Sequence, residues 1–236
     1  MCSDTKARRK FKALVLDELL PTFCDYYSYD PAGFHSATLD RISEHDAMWF
    51  LQALSTGSVT QDQAFFQSAL SGAKEQIFWQ GTKSVSPRPI TVWVEPVITI
   101  GAAGRLHSEF GWPNDLIGLQ SKGNWAFDLV AYGRDGEPLV ACEVKKTKRE
   151  IDDLVDAMLR YVPQLPLSEE PRRPRLRNAY RKVVGLRQLN PRCFWALGPN
   201  NYGKIFRFVA HMSGDVAGLE EMDEGALVYR MRDGNR

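Results

Sequence analysis

The chain has 236 residues, 44% hydrophobic and 25% charged, with 30 Lys and Arg against 29 Asp and Glu for a formal net charge of +1. That composition excludes a largely disordered chain, and the length holds one sizeable α/β core or a core with a smaller accessory region. The near-zero charge excludes a uniformly basic polymer-coating protein, so any nucleic-acid contact must come from local clusters. The four cysteines, Cys2, Cys24, Cys142 and Cys193, form no CxxC pair, which argues against structural zinc and a secreted disulfide framework. Lys6, Arg8, Arg9, Lys10 and Lys12 open the chain, but Asp17 and Glu18 interrupt the apolar run that follows, so no signal-peptide core forms. No segment reaches transmembrane length; the expectation is a cytoplasmic protein without a membrane partner.

In chain order, Phe11, Leu14, Val15 and Leu19 recur at helical spacing and predict a helix from Lys6 to Leu20, stopped by Pro21. Ser43 precedes a second helical pattern through Ala47, Met48, Leu51 and Leu54. Thr60-Gln61-Asp62-Gln63 has capping-box form and predicts a third helix towards Trp79, burying Phe65, Ala69, Ala73 and Ile77. Gly81 to Pro89 reads as a linker, dividing a helical N-terminal region, 1–85, from a second domain, 86–236. Ile90 to Ile100 supports two readings: Ile90, Val92 and Val94 alternate like a strand, while Pro96 suits the first turn of a helix running towards Phe110. Leu116 to Gln120 is a short predicted strand. Trp125 to Tyr132 and Pro138 to Lys146 form a predicted hairpin around Gly133-Arg134-Asp135-Gly136-Glu137, and Ile151 to Val162 a helix after it. A Pro- and Arg-rich connector runs from Pro163 to about Arg177. Cys193 to Leu197 and Lys204 to Val209 are two more predicted strands, and Ala226 to Met231 a last one.

The hairpin carries the chemistry. With Asp135-Gly136 as a two-residue type I′ turn, Arg134 opposes Glu137, Tyr132 opposes Leu139 and Asp128 opposes Glu143. Two opposed carboxylates within apolar strands repel, and a divalent cation would relieve that repulsion by taking carboxylate oxygens while keeping waters and phosphate oxygens as other ligands. Side-chain alternation puts Lys145 on the Glu143 face. Such a trio suits phosphodiester hydrolysis, with the metal lowering the pKa of a bound water and the lysine orienting it or offsetting developing charge. Singly, each residue is more often structural, since Glu-x-Lys is frequent by chance; the combination across one turn, with a following amphipathic helix, favours the catalytic reading.

Phe127-Asp128 and Glu143-Val144-Lys145 resemble the signature of the PD-(D/E)xK nuclease superfamily, in which an acid ends one strand and a Glu-x-Lys lies on the next. Glu109-Phe110-Gly111-Trp112-Pro113 and the order hairpin, helix, strand Cys193 to Leu197 are similar to the nuclease domain at the N-terminus of type I restriction subunits. The similarity spans roughly Ile90 to Val209, and Phe127 stands where the signature has proline. The resemblance implies an α/β, restriction-endonuclease-like core with a central mixed β-sheet flanked by helices, preceded by the helical N-terminal region. It also implies a further acid from an upstream helix, Glu95 or Glu109, with Glu95 fitting the spacing better. The function expected is metal-dependent nuclease activity, on DNA rather than RNA, with Mg²⁺, or Mn²⁺ in its place, held by Asp128, Glu143 and Glu95, and Lys145 assisting the attacking water.

Arg172, Arg173, Arg175, Arg177, Arg181 and Lys182 lie in a stretch without acidic residues, an expected phosphate-tracking surface whose ordinary alternative is a solvated connector. His35, His45, His107 and His211 lack ligand spacing. The six tryptophans sit mostly in apolar patterns, which predicts core packing over base stacking. Nothing resembles a P-loop. Two rivals stand beside the nuclease reading: a non-catalytic member of the same fold that binds nucleic acid or protein, and a nuclease subunit that works only in a larger defence or repair complex. A homodimer is compatible with either cleavage reading but marked by no residue.

Overall fold

A computed structural model describes residues 6–122, 127–162, 169–210 and 217–230. Its core is a six-stranded mixed sheet flanked by helices, with further helices at the N-terminus, an α/β architecture. The sheet order is β10-β9-β8-β7-β6-β5, built from β5 (Ile117–Leu119), β6 (Leu129–Tyr132), β7 (Pro138–Val144), β8 (Cys193–Leu197), β9 (Gly203–Ala210) and β10 (Ala217–Met222). Every neighbouring pair is antiparallel except β7 and β8. A parallel pair needs a long crossover, and two helices supply it: α5 (Lys148–Leu159) and α6 (Pro174–Leu189). Alternation along β7 divides its side chains between two cores. Val140, Cys142 and Val144 pack with the N-terminal helices and α4 (Val94–Ser108), while Ala141 packs with Ile151, Met158, Val183 and Leu186 of α5 and α6. The boundary expected at residue 85 falls in the loop between β3 (Phe78–Gln80) and β4 (Ile90–Val92), and apolar residues on both sides of it share the first core.

Pro21 does not end the first helix. Between α1 (Lys6–Leu14) and α2 (Leu20–Tyr27) the chain makes a π-helical turn, Val15–Leu19, in which the Leu20 N–H donates to the Val15 carbonyl. The wider turn lets the proline enter without forcing a broken hydrogen bond. The helix expected from Thr60 to Trp79 is absent: β1 (Thr60–Asp62) and β2 (Phe65–Gln67) form a small hairpin, followed by β3. Gln63, the expected capping residue, instead takes a left-handed φ of 53° in the turn, and Ser68 and Ser71 bond each other and the Leu119 N–H, local side-chain bonding that competes with helix. Ile90–Ile100 contains both predicted states, a strand to Val92 and then α4, with the change at the extended Trp93. The expected connector before Arg177 ends inside α6, entered at Pro174 and left through left-handed Asn190. Of the expected last strand, Ala226 and Leu227 lie in a short 3-10 turn, Glu224–Leu227, and Met231 lies outside the described residues; the last strand is β10, which includes Glu220 and Glu221.

α4 crosses α3 (Glu44–Ser55) at close range because Gly104 faces its backbone: a Cβ there would lie 2.7 Å from the Ala53 nitrogen and 2.8 Å from both the Ala53 Cα and the Trp49 carbonyl oxygen. Alanine improves helix propensity by about 1 kcal/mol in isolation, but this clash can be relieved only by moving the helices apart. Gly104→Ala is therefore expected to lose about 1–3 kcal/mol, read as a lowered urea midpoint at unchanged slope. Gly101→Ala, whose Cβ would meet Trp49 Cβ at 3.1 Å, should lose less.

Candidate functional site

The β6–β7 hairpin reaches the expected pairing of its acids by a different route. Its loop has three residues, Arg134-Asp135-Gly136, closed by Gly136 N–H to the Gly133 carbonyl at 3.0 Å and Gly133 N–H to the Glu137 carbonyl at 2.8 Å, with Gly136 at φ 84°. This shifts the register by one residue, so Tyr132 opposes Pro138 rather than Leu139, and Arg134 pairs with Asp115 at 2.8 Å rather than with Glu137. A bulge between Ala131 and Tyr132 then reverses the shift: Ala131 opposes Val140 and Leu129 opposes Cys142. Pro138 has no N–H to contribute to a regular ladder, and bulges are where sheets accommodate proline. Asp128, one step beyond Leu129, consequently arrives beside Glu143. Its N–H donates to the Cys142 carbonyl at 3.0 Å, and its Oδ2 accepts the Val144 N–H at 2.7 Å.

Glu143 is the centre of the cluster. Only 2% exposed, it faces the α5–α6 side and meets two ammonium groups. Lys145 Nζ donates to Oε1 at 2.6 Å, and Lys182 Nζ stands against Oε2. Lys145 also donates to the Val144 carbonyl at 2.7 Å and approaches Glu95 at 4.0 Å. Burial alone would raise the Glu143 carboxyl, but Lys182 and Lys145 together hold it below the ordinary glutamate range. The Lys145 ammonium, which burial alone would deprotonate more easily, is held charged by Glu143 and Asp128. Burial lifts Asp128 to about 8, and the Glu143 charge pushes the same way, against Lys182, Lys145 and the Val144 N–H.

The structure thus places Asp128, Glu143 and Lys145 together, with Glu95 at the margin. Glu109 is elsewhere, 2.5 Å from Arg105, a buried guanidinium that also reaches Glu224 at 2.9 Å. The expected metal centre does not form. Among the described residues, no group of three or more His, Cys, Asp or Glu side chains could hold a metal ion. This overturns the expected Mg²⁺ or Mn²⁺ cofactor bound by Asp128, Glu143 and Glu95, and with it the Mg-dependent nuclease mechanism. The physical reason is that the repulsion between Asp128 and Glu143 is already relieved by lysines: both Glu143 oxygens face ammonium groups, and Asp128 takes up a proton more readily than an ordinary carboxylate.

No family model, curated protein or solved structure gives a significant match to this chain. The motif resemblance therefore stands on the residues alone.

Lys182 was expected on a phosphate-tracking surface, but it is 8% exposed and lies 5.3 Å from the Phe127 ring centroid. The sequence contained the signal: Ala179, Lys182, Val183 and Leu186 share one helical face, and all are buried. The rest of the basic cluster divides. Arg175 pairs with Asp153 and Arg181 with Glu170, each at 2.5 Å, whereas Arg172, Arg173 and Arg177 are exposed and have no carboxylate partner among the described residues. Glu75 and Gln120 lie on the other flank, beside Glu95. Gln120, at a left-handed φ of 54°, donates through its side chain to the buried Glu75, whose carboxyl is raised by burial and by the Glu95 charge. No motif marked either residue. Trp125 and His211 lie outside the described residues.

Two expectations test this electrostatic arrangement. Asp128 has a folded pKa above its unfolded value, so its contribution to stability is full below about pH 4 and is lost as pH rises towards 8. Glu143 has the opposite sign: its contribution is full above the unfolded glutamate value and is lost as pH falls below it, through the lower folded value. Stability should therefore decline between about pH 5 and pH 8, and Asp128→Asn should flatten that decline in urea titrations across the range. Separately, Glu143→Gln leaves two buried ammonium groups without their shared carboxylate and should cost about 3–5 kcal/mol. Adding Lys182→Met to it should recover part of the loss in a double-mutant cycle.

Proposed function

We propose that the chain is a non-catalytic nucleic-acid-binding protein on a restriction-endonuclease-like core, in which the acid–lysine hairpin serves as scaffold and the exposed side of α6 meets the phosphate backbone of DNA. The observation that carries this reading is the fate of the basic cluster. Lys182, Arg175 and Arg181 are engaged with carboxylates, while Arg172, Arg173 and Arg177 remain exposed without one among the described residues. Arg173 is the N-cap of α6 and Arg177 lies one turn further on, so these cations gather where the helix dipole also favours anions. Guanidinium groups suit phosphate oxygens through paired N–H donors. The hairpin supports a scaffold role because its carboxylates are balanced internally. Among the described residues, no helix is long and apolar enough to cross a membrane, so the surface is not withdrawn into a helical span there.

Binding to labelled duplex DNA, followed by fluorescence anisotropy as salt is raised, tests the reading. Affinity should fall linearly on logarithmic axes, and replacing Arg172, Arg173 and Arg177 together with alanine should reduce the slope by about 3. The same affinity is expected with chelator and with magnesium, and plasmid incubated with either should remain intact. Absence of DNA binding at low salt, or plasmid cleavage abolished by Asp128→Ala, would overturn it.

A further inference from the structure

The β3–β4 ribbon presents an aromatic surface that the sequence pattern assigned to the core. Trp79 is 53% exposed and Trp93 44%, although Trp112 and Trp195 are buried as expected. In the ribbon, Phe78 opposes Val92 and Trp79 opposes Thr91. The Trp93 N–H continues the ladder by donating to the Ile77 carbonyl at 2.7 Å. Phe78 and Val92 lie in the core, as does Ile77 opposite Trp93, while the Trp79 and Trp93 side chains are turned out of it and Thr91 between them is half-buried. The two tryptophans are diagonal neighbours, with Cα atoms about 7–8 Å apart. Neither indole is stacked on another aromatic ring among the described residues.

The charge carried by the ribbon and its loop is of one sign. From Phe78 to Trp93 the sequence contains Lys83 and Arg88 and no acidic residue. Arg88 is fixed by its bonds to the Gly81 carbonyl and the Tyr29 hydroxyl, while Lys83 is exposed in the connecting loop. Trp93 is also the N-cap of α4, two residues before Glu95, and Glu95 is 4.0 Å from Lys145. The exposed rings therefore begin where the buried charge cluster ends.

We propose that Trp79 and Trp93 form a stacking platform for unpaired bases of a single-stranded nucleic acid, with Lys83 and Arg88 beside its backbone. The inference rests on the nucleic-acid-binding reading and adds a substrate class to it. Flat, exposed indoles accept any base face, and stacked bases within a duplex cannot offer theirs. An apolar partner protein would use the rings equally well, but it would gain nothing from a ribbon carrying only positive charge. The cationic loop complements a phosphate backbone.

The test compares oligo-dT with its duplex against oligo-dA, using the full chain. Oligo-dT should quench tryptophan fluorescence, and Trp79→Ala and Trp93→Ala should each weaken oligo-dT binding about tenfold or more while leaving duplex affinity unchanged. Trp79→Phe and Trp93→Phe should retain most of the affinity, because a phenyl ring still stacks; loss in both replacements would overturn the platform. Equal weakening on single strand and duplex would also overturn it, as would loss of self-association in the alanine variants with no change in oligo-dT affinity. If duplex binding and its arginine-dependent salt slope persist while oligo-dT binding ignores the tryptophans, this inference fails alone. If neither nucleic acid binds, both readings fail.

Discussion

Burying the Glu143 carboxylate between two ammonium groups is the constraint around which the sheet, the crossover helices and α4 are arranged. An ion of that size loses several kcal/mol of hydration on leaving water, and a β7 strand with apolar residues on both faces offers it none. The chain supplies the compensation from two distances: Lys145 from two residues along the same strand, and Lys182 from α6, on the far side of the β7–β8 crossover. Because Lys182 must face inwards, the rotation of α6 about its axis is fixed. Arg175, Arg177 and Arg181 of that helix are turned outwards as a direct consequence, while Arg187, near its end, is half-buried and donates to the Val162 carbonyl. The interior ion pair and the exposed arginines are thus two sides of one helix orientation.

The same arrangement explains why two neighbouring acids do not make a metal centre here. A divalent ion would have to displace ammonium groups from Glu143 and a proton from Asp128. The lysines do for this hairpin what an ion would otherwise do, and their positive charge comes with the fold. Lys145 carries the balance outward to Glu95 at the start of α4, and the buried Glu75, raised first by burial, is raised further by the Glu95 charge. Charge on one face of the sheet is therefore coupled to the loop structures that flank β5.

On the proposed nucleic-acid-binding reading, the surface offers two kinds of contact. Around the start of α6 the exposed groups are guanidiniums, which read backbone phosphate without regard to base pairing. On the β3–β4 ribbon they are indoles beside a short cationic loop, which require an open base face. The charged cluster lies structurally between these elements, tied to α6 through Lys182 and to the segment after Trp93 through Glu95.

The sequence by itself determined the elements whose signal is local. Period-3.6 patterns marked α1, α3 and α5, apolar runs of strand length marked β7 and β8, and a Gly-containing loop marked the β6–β7 hairpin. It also brought Asp128 opposite Glu143, although the two-residue turn assumed for that pairing was wrong; a longer loop and a bulge cancel each other. The sequence misled where tertiary partners outweighed local propensity. Four-residue spacing from Phe65 to Ile77 imitated a helix, and Pro21 imitated a stop that a π turn absorbs. Most of all, linear order could not decide which cation would meet which acid. Only the crossover from β7 to β8 brings Lys182 under Glu143, and only the ribbon's pairing turns Trp79 and Trp93 outwards. The physical reason is the same in both cases: the choice between a metal and an ammonium group, or between core and surface, depends on neighbours that are distant in the chain and meet only when the sheet is complete.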